Sequence, residues 1–256
     1  MIYVFANQKG GVAKTTTAHT TGTGLHRAGF RVLLVDCDPQ GNLSDLCGAG
    51  DADITLYDVL KGNADTAEAV RPVPGYPDGL DIIPGGLMLA AADMEFTTPG
   101  REYLLREALS TVRGEYDFIV IDTPPALGIL TVNALTAADI LAIPSAPDRF
   151  SLKGLKQLSG TIATIKKYCN PSLQIAGVLL TRTEENTNAD KVMYESIQTG
   201  AEYMGTAVFK TRIRKGVAIR EAQIIESDIF RESAGAGVTA DYISFIKELT
   251  GVTVNE

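Results

Sequence analysis

Short apolar runs alternate with longer stretches of helical period along this chain of 256 residues. The strand candidates are Ile2–Ala6, Arg31–Asp36, Leu80–Ile83, Phe118–Asp122, Ile140–Pro144 and Gln174–Thr181. Their apolar character is continuous rather than alternating. Such runs suit parallel strands covered on both faces. Helices are expected at Lys14–Ala28, Arg101–Arg113, Leu152–Lys167, Asp190–Tyr203 and Val238–Thr250. The alternation predicts right-handed βαβ units, hence a doubly wound, mostly parallel α/β sheet flanked by helices. A single domain over residues 1–256 is expected, with 48–100 a less regular surface elaboration. Ligands of such sheets bind at the carboxyl ends of strands. The loops Gln8–Ala13, Cys37–Asn42 and Thr123–Gly128 therefore carry the candidate chemistry.

Composition narrows the class. With 45% hydrophobic and 21% charged residues, the chain is neither disordered nor collagen-like nor a simple coiled coil. Its net charge of −8 gives no global positive field. The stretch Val208–Arg220 is the local exception, with Lys210, Arg212, Arg214, Lys215 and Arg220 and no acidic residue. The three cysteines form no CxxC pair, and no charged leader opens the sequence. Together these suggest a reducing, cytoplasmic setting. No apolar run of about 18 residues occurs, so no membrane span is expected. His19 and His26 fall on one predicted helix, and no metal site is expected from them.

The sharpest motif is Gln8-Lys9-Gly10-Gly11-Val12-Ala13-Lys14-Thr15-Thr16, between an apolar strand and a helix. Phosphate needs unhindered backbone N–H donors, and glycines let the chain wrap closely around it. The helix N-terminus adds a positive dipole end. Lys14 would place its ammonium on the β/γ-phosphates, and the Thr15 hydroxyl would ligate Mg²⁺. Two further segments end strands in carboxylates: Val35-Asp36-Cys37-Asp38-Pro39-Gln40-Gly41-Asn42 and Ile121-Asp122-Thr123-Pro124-Pro125. Beside a phosphate site, Asp38 and Asp122 can hold a metal, its waters or an attacking water. Blander roles stay open. They are Asp38 forming a turn before Pro39, Asp122 capping a helix, and Asp36 supporting its loop.

Lys9-Gly10-Gly11-x-x-Lys14-Thr15 resembles the deviant Walker A box of the ParA/MinD group of P-loop ATPases. Asp38-Pro39-Gln40-Gly41-Asn42 and Asp122-Thr123-Pro124-Pro125 are similar to the group's two switch segments. Asn133-Ala134-Leu135-Thr136-Ala137-Ala138-Asp139 resembles the ParA branch. Ala13 departs from the usual Gly. The resemblance implies ATP and Mg²⁺ bound by Lys9, Gly10, Gly11, Val12, Ala13, Lys14, Thr15 and Thr16. It implies a catalytic set of Lys9, Lys14, Asp38 and Asp122, with Lys9 reaching the partner's nucleotide across an ATP-bound homodimer. Thr15, Asp38 and Asp122 would hold the metal, the carboxylates directly or through water.

The branch decides the partners. The C-terminal segment Asp241–Thr250 carries Lys247 as its one basic residue, unlike the basic membrane helix of MinD-like members. No cysteine sits where an interfacial iron–sulfur cluster would need it. The resemblance to ParA proteins of the short, Soj-like type implies non-specific double-stranded DNA as a ligand of the ATP dimer. It also implies a nucleoid-associated ATP state and a ParB-like centromere-binding partner that stimulates hydrolysis. The DNA candidates are Arg182, Lys210, Arg212, Arg214, Lys215 and Arg220, set against the alternative of a solvated basic edge. Two other functions stay open: positioning a protein cargo, and a nucleotide-gated scaffold with little hydrolysis.

Overall fold

The computed structural model describes residues 1–76, 79–148, 151–184 and 188–254. One eight-stranded sheet organises the chain. Its strands are β1 (Ile2–Phe5), β2 (Val32–Asp36), β3 (Arg71–Pro72), β4 (Leu80–Ile83), β5 (Phe118–Asp122), β6 (Ile140–Ser145), β7 (Gln174–Thr183) and β8 (Val208–Arg214). Their spatial order is β3-β4-β2-β5-β1-β6-β7-β8, and only β3 runs antiparallel to its neighbour. The chain winds outward in both directions from β1, which pairs with β5 and β6. That reversal is the switch point where such folds open a crevice. Register then places the chemistry: Phe5 and Asp36 each stand directly opposite Asp122.

Among the described residues, twelve α-helices complete the order. They are α1 (Lys14–Arg27), α2 (Asn42–Leu46), α3 (Leu56–Lys61), α4 (Thr66–Ala69), α5 (Ala92–Glu95), α6 (Leu104–Ser110) and α7 (Ile129–Ala137), followed by α8 (Ser151–Tyr168), α9 (Asn188–Tyr203), α10 (Val217–Ile224), α11 (Ile229–Glu232) and α12 (Gly237–Thr250). Successive residues of the central strands bury on opposite faces. Val4, Leu33, Val35, Ile119 and Ile121 join one cluster with side chains of α3, α6, α7 and α8. Phe5, Leu34 and Val120 join the other with Leu25 of α1 and Tyr242, Phe245 and Ile246 of α12. Continuous apolar strands are the consequence of two covered faces. The helix that follows the phosphate loop is pressed hard onto this second layer. A Cβ at Gly22 would lie 2.4 Å from Leu34 Cδ2, and one at Gly24 would lie 2.4 Å from Ile246 Cδ1. Larger side chains there would lift α1 and move the loop it carries.

The structure differs from the sequence reading in several elements. The expected helix Arg101–Arg113 is broken into a 3₁₀ turn at Arg101–Tyr103, then α6, then a second turn at Arg113–Glu115. Strand β8 and helix α10 occupy the stretch read only as a basic cluster. The strand expected at Leu80–Ile83 is β4, beside β2 in the sheet, and the rest of 48–100 adds α3, which buries Leu56 and Leu60 in the core. Arg149 and Phe150 lie outside the described residues.

Candidate active site

The phosphate loop leaves β1 and is tied on both sides. Asn7 Nδ2 donates to the Pro144 carbonyl of β6 at 2.7 Å, while Asn7 Oδ1 accepts from Lys9 N at 3.1 Å. From β7, Thr181 Oγ1 donates to the Val12 carbonyl at 3.0 Å, and Arg182 Nη1 donates to that of Gly11 at 2.9 Å. Gly11 and Ala13 both take left-handed backbone, with φ of 73° and 62°. An alanine there costs about 1 kcal/mol that glycine would not. α1 begins immediately after, with no acidic residue in its first turn. Its N-terminal amides and dipole therefore face a hollow of about 540 Å³, lined by Gly10, Gly11, Ala13, Lys14, Thr15, Thr16, Asp38 and Pro125 among others. Lys14 is buried, and its Nζ donates to the Lys9 carbonyl at 3.2 Å. Burial lowers its pKa, against the pull of Asp122 and Asp38. Lys9 is part-exposed and ion-paired with Asp148, beyond the end of β6.

The three carboxylates divide into different roles. Asp36 is fully buried and saturated: it accepts from Asp38 N at 3.0 Å, Ser44 N at 2.9 Å and Ser44 Oγ at 2.8 Å. It supports the loop, as the blander reading allowed. Asp38 Oδ1 accepts from Gln40 N at 3.0 Å, a turn-forming bond, and the residue also borders the hollow. Turn formation and access to the phosphate site coexist. Asp122 is the outlier. It is wholly buried, yet neither carboxylate oxygen makes a hydrogen bond of full geometry among the described residues, the Thr15 hydroxyl beside it falling short of one. Burial, then the nearby Asp36, pushes its pKa up to about 8, while the Thr15 hydroxyl and Lys14 favour its charged form. It does not cap the following helix; Asp93 Oδ1 accepts from Ile129 N at 2.7 Å instead.

Two orphaned carboxylate oxygens beside a threonine hydroxyl and a buried ammonium fit a divalent cation with its phosphate ligand. Buried polar groups in native structures otherwise find partners.

Comparison with known proteins agrees with this geometry. Residues 1–175 match the family model described as an AAA domain. The sporulation initiation inhibitor protein Soj of Bacillus subtilis is 42% identical, covering 86% of this chain and 87% of its own. The chromosome partitioning protein ParA of Caulobacter vibrioides is 38% identical over 97% of this chain and 93% of its own. The chain belongs to the ParA/Soj family. Its fold is also similar to the cobyrinic acid a,c-diamide synthase of Mycobacterium smegmatis with bound ATP analog and magnesium. That match has a TM-score of 0.78 and 31% identity, covering 91% of this chain and 96% of the other.

A second hollow, of about 550 Å³, continues from the first over the other side of Thr16. Apolar Ile213, Val217 and Ile219 line it, with Tyr242 at its base and Arg182, Arg214, Lys215 and Arg220 around it. A mostly apolar hollow beside a phosphate loop suits the nucleoside half of a ParA-family nucleotide. This changes the picture of the basic cluster. Arg214 is chelated by Asp241, with Nε and Nη2 bonds of 2.8 and 2.9 Å. Lys215 pairs with Glu184 at 2.9 Å. Arg182 holds the phosphate loop, and the Arg212 guanidinium lies 4.3 Å from the centroid of the Tyr194 ring. Lys210 and Arg220 have no ion pair among the described residues. The cluster is thus divided between the nucleotide site and an outer edge, not one open patch.

The sequence carried a signal for this division. In Val208–Arg214 Phe209, Thr211 and Ile213 alternate with Lys210, Arg212 and Arg214, the period of a half-exposed strand. Phe209 and Ile213 face the core, whereas Lys210, Arg212 and Arg214 face outward. Gln223, Glu226 and Tyr242 also line the hollows and belong to no motif. Asn7 holds the loop through two hydrogen bonds and Thr181 through one, for which a lone sequence offers no cue. Among the described residues, no helix is long and apolar enough to cross a membrane.

Proposed function

We propose that this ParA/Soj-family ATPase is a nucleotide-switched partition protein. It hydrolyses ATP with Mg²⁺ and closes as a homodimer when ATP is bound. The observation that carries the reading is the meeting of Lys14, Thr15 and the orphaned Asp122 at the N-terminus of α1. Lys14 neutralises the β/γ-phosphates, and the loop amides of Gly10 to Thr16 bind their oxygens. Thr15 and Asp122 hold Mg²⁺, which supplies charge stabilisation at the phosphates when bound. Asp38, tethered by its turn yet facing the phosphate hollow, orients the attacking water. Lys9 acts across the dimer interface. In the single chain it pairs with Asp148, so dimer closure requires that pair to open.

The closed dimer binds duplex DNA without reading sequence, and a ParB-like partner stimulates hydrolysis and release. The division of the basic cluster narrows the DNA surface to Lys210 and Arg212, with Arg220 shared between that surface and the rim of the second hollow, all doubled by dimer symmetry. That narrowing also favours a second reading in which the cargo is a protein cluster. One experiment separates them: duplex DNA binding by the Asp38→Ala protein in ATP and in ADP, across a salt titration. ATP-dependent, sequence-independent binding that weakens steeply with salt is expected. An ATP dimer that leaves DNA unbound at low salt would sink the DNA reading and turn the search to a protein cargo.

A further inference from the structure

Gln223 stands where the two hollows meet. It lines both, as does Thr16, and its Nε2 donates to Thr16 Oγ1 at 3.2 Å. A nucleotide with its base in one hollow and its phosphates in the other must pass alongside this pair of side chains. Gln223 belongs to no part of the phosphate loop. It is carried by α10, 207 residues further along the chain from Thr16. That helix has one fully buried residue, Ala222, with Ala218 and Ile219 partly buried against the core, and it leaves Ile224 and the following Ile225 exposed.

The backbone around the junction is unusual in the same direction. Among the described residues, the non-glycine positions with left-handed φ are Ala13, Arg182 and Glu226, at 62°, 55° and 50°. Each borders one or both hollows. Glu226 lies just past α10, and its N–H donates to the Gln223 carbonyl at 3.2 Å. Backbone strain of this kind persists where surrounding structure over-determines it, and it concentrates at ligand clamps.

We propose that Gln223 is a positioning residue for the nucleotide, the latch by which α10 holds the junction of nucleoside and phosphates against α1. This rests on the nucleotide reading of the site. A carboxamide has two N–H donors. One stays on the Thr16 hydroxyl, and the other faces the phosphate oxygen nearest the ribose.

The test uses the full chain, a titration with fluorescent ATP, and the variants Gln223→Met, Gln223→Glu and Thr16→Val. Gln223→Met keeps the volume and removes the donors, and it should weaken ATP binding roughly fivefold, the loss of about one hydrogen bond. Gln223→Glu separates positioning from mere support. Its carboxylate still accepts from the Thr16 hydroxyl, so a purely structural contact survives it. Beside a phosphate the same carboxylate repels, and ATP binding should fall by roughly tenfold or more. The Gln223→Met and Thr16→Val losses should be non-additive in the double variant. Thermal unfolding without nucleotide checks that each variant is folded.

Gln223→Glu binding ATP as the wild type does, or fully additive losses, would overturn the latch while leaving the site intact. A wild-type protein that binds no ATP would overturn the reading of the site itself.

Discussion

The proposed phosphate and nucleoside halves of the cleft are built on opposite principles. The phosphate half sits on the ends of β1, β2 and β5, the most deeply buried strands of the sheet. There the backbone donates, Asp36 is saturated, and Asp122 is left without a hydrogen bond. The nucleoside half sits on β7, β8 and α10, toward the sheet edge, and nearly every polar side chain already has a protein partner. Arg214 has Asp241, Lys215 has Glu184, and Arg182 has the Gly11 carbonyl. An orphaned group inside a core implies an absent ligand, since burying it unsatisfied costs free energy. Paired groups at an edge imply shape and support. Substitutions should therefore abolish function in the first half and only tune it in the second.

The largest effect is expected at Lys14. Lys14→Ala removes the one buried ammonium facing the phosphates, and fluorescent-ATP titration should show binding lost beyond the measurable range. Binding within a few-fold of wild type would break the comparison at its strongest point. Next comes Asp38→Ala. It should keep ATP affinity and cut phosphate release by roughly a hundredfold or more, the scale of a positioned general base; rapid turnover would remove Asp38 from the hydrolytic role.

On the edge half the effects shrink. Charge reversal at Arg212 and Arg220 together should flatten the salt dependence of DNA binding, because each phosphate contact adds about 0.9 to the slope. ATP affinity should change far less than in Lys14→Ala. An unchanged salt slope would assign DNA contact to another surface.

The smallest effect concerns α1 itself. Burial holds the pKa of His19 down to about 4, with Asp228 pulling weakly the other way. The unfolded chain takes up that proton near pH 6.5 and the folded one does not. This contribution to stability is therefore complete above about pH 6.5 and falls as pH drops toward 4. Between pH 7 and pH 5 it amounts to on the order of 2 kcal/mol. The buried carboxylates Asp36 and Asp122, with raised pKa values, trend the opposite way in both proteins. Denaturant unfolding of wild type against His19→Gln therefore isolates the histidine. Parallel pH profiles for the two would show that His19 carries no such load.

Legibility in the sequence followed the same division. The phosphate half was readable because its chemistry is local: a strand, a glycine pair, Lys14 and Thr15 lie within a few residues of one another. Asp38 and Asp122 each end a strand whose apolar run announces it. The nucleoside half is assembled from positions far apart in the chain, so no short motif marks it. Thr181 reaches the loop from β7, Gln223 from α10 and Tyr242 from α12. The basic residues of β8 were visible but their partners were not. Asp241 and Glu184 lie on other elements, and only the fold brings them within reach. Charge that looks free in a sequence is often already paired in the structure. The main layers of the sheet were legible from continuous apolar runs. The short helices α2 to α5 were not, because a helix of four to six residues shows too little period to recognise.

The central claim is that ATP, held by Lys14 and the groups around Asp122, changes the assembly of the protein. Light scattering of the Asp38→Ala protein with Mg²⁺ and either ATP or ADP tests it most directly. The predicted result is a dimer in ATP and a monomer in ADP, with Lys14→Ala monomeric in both. The same mass in ATP and ADP, with ATP binding confirmed in parallel, would contradict the account.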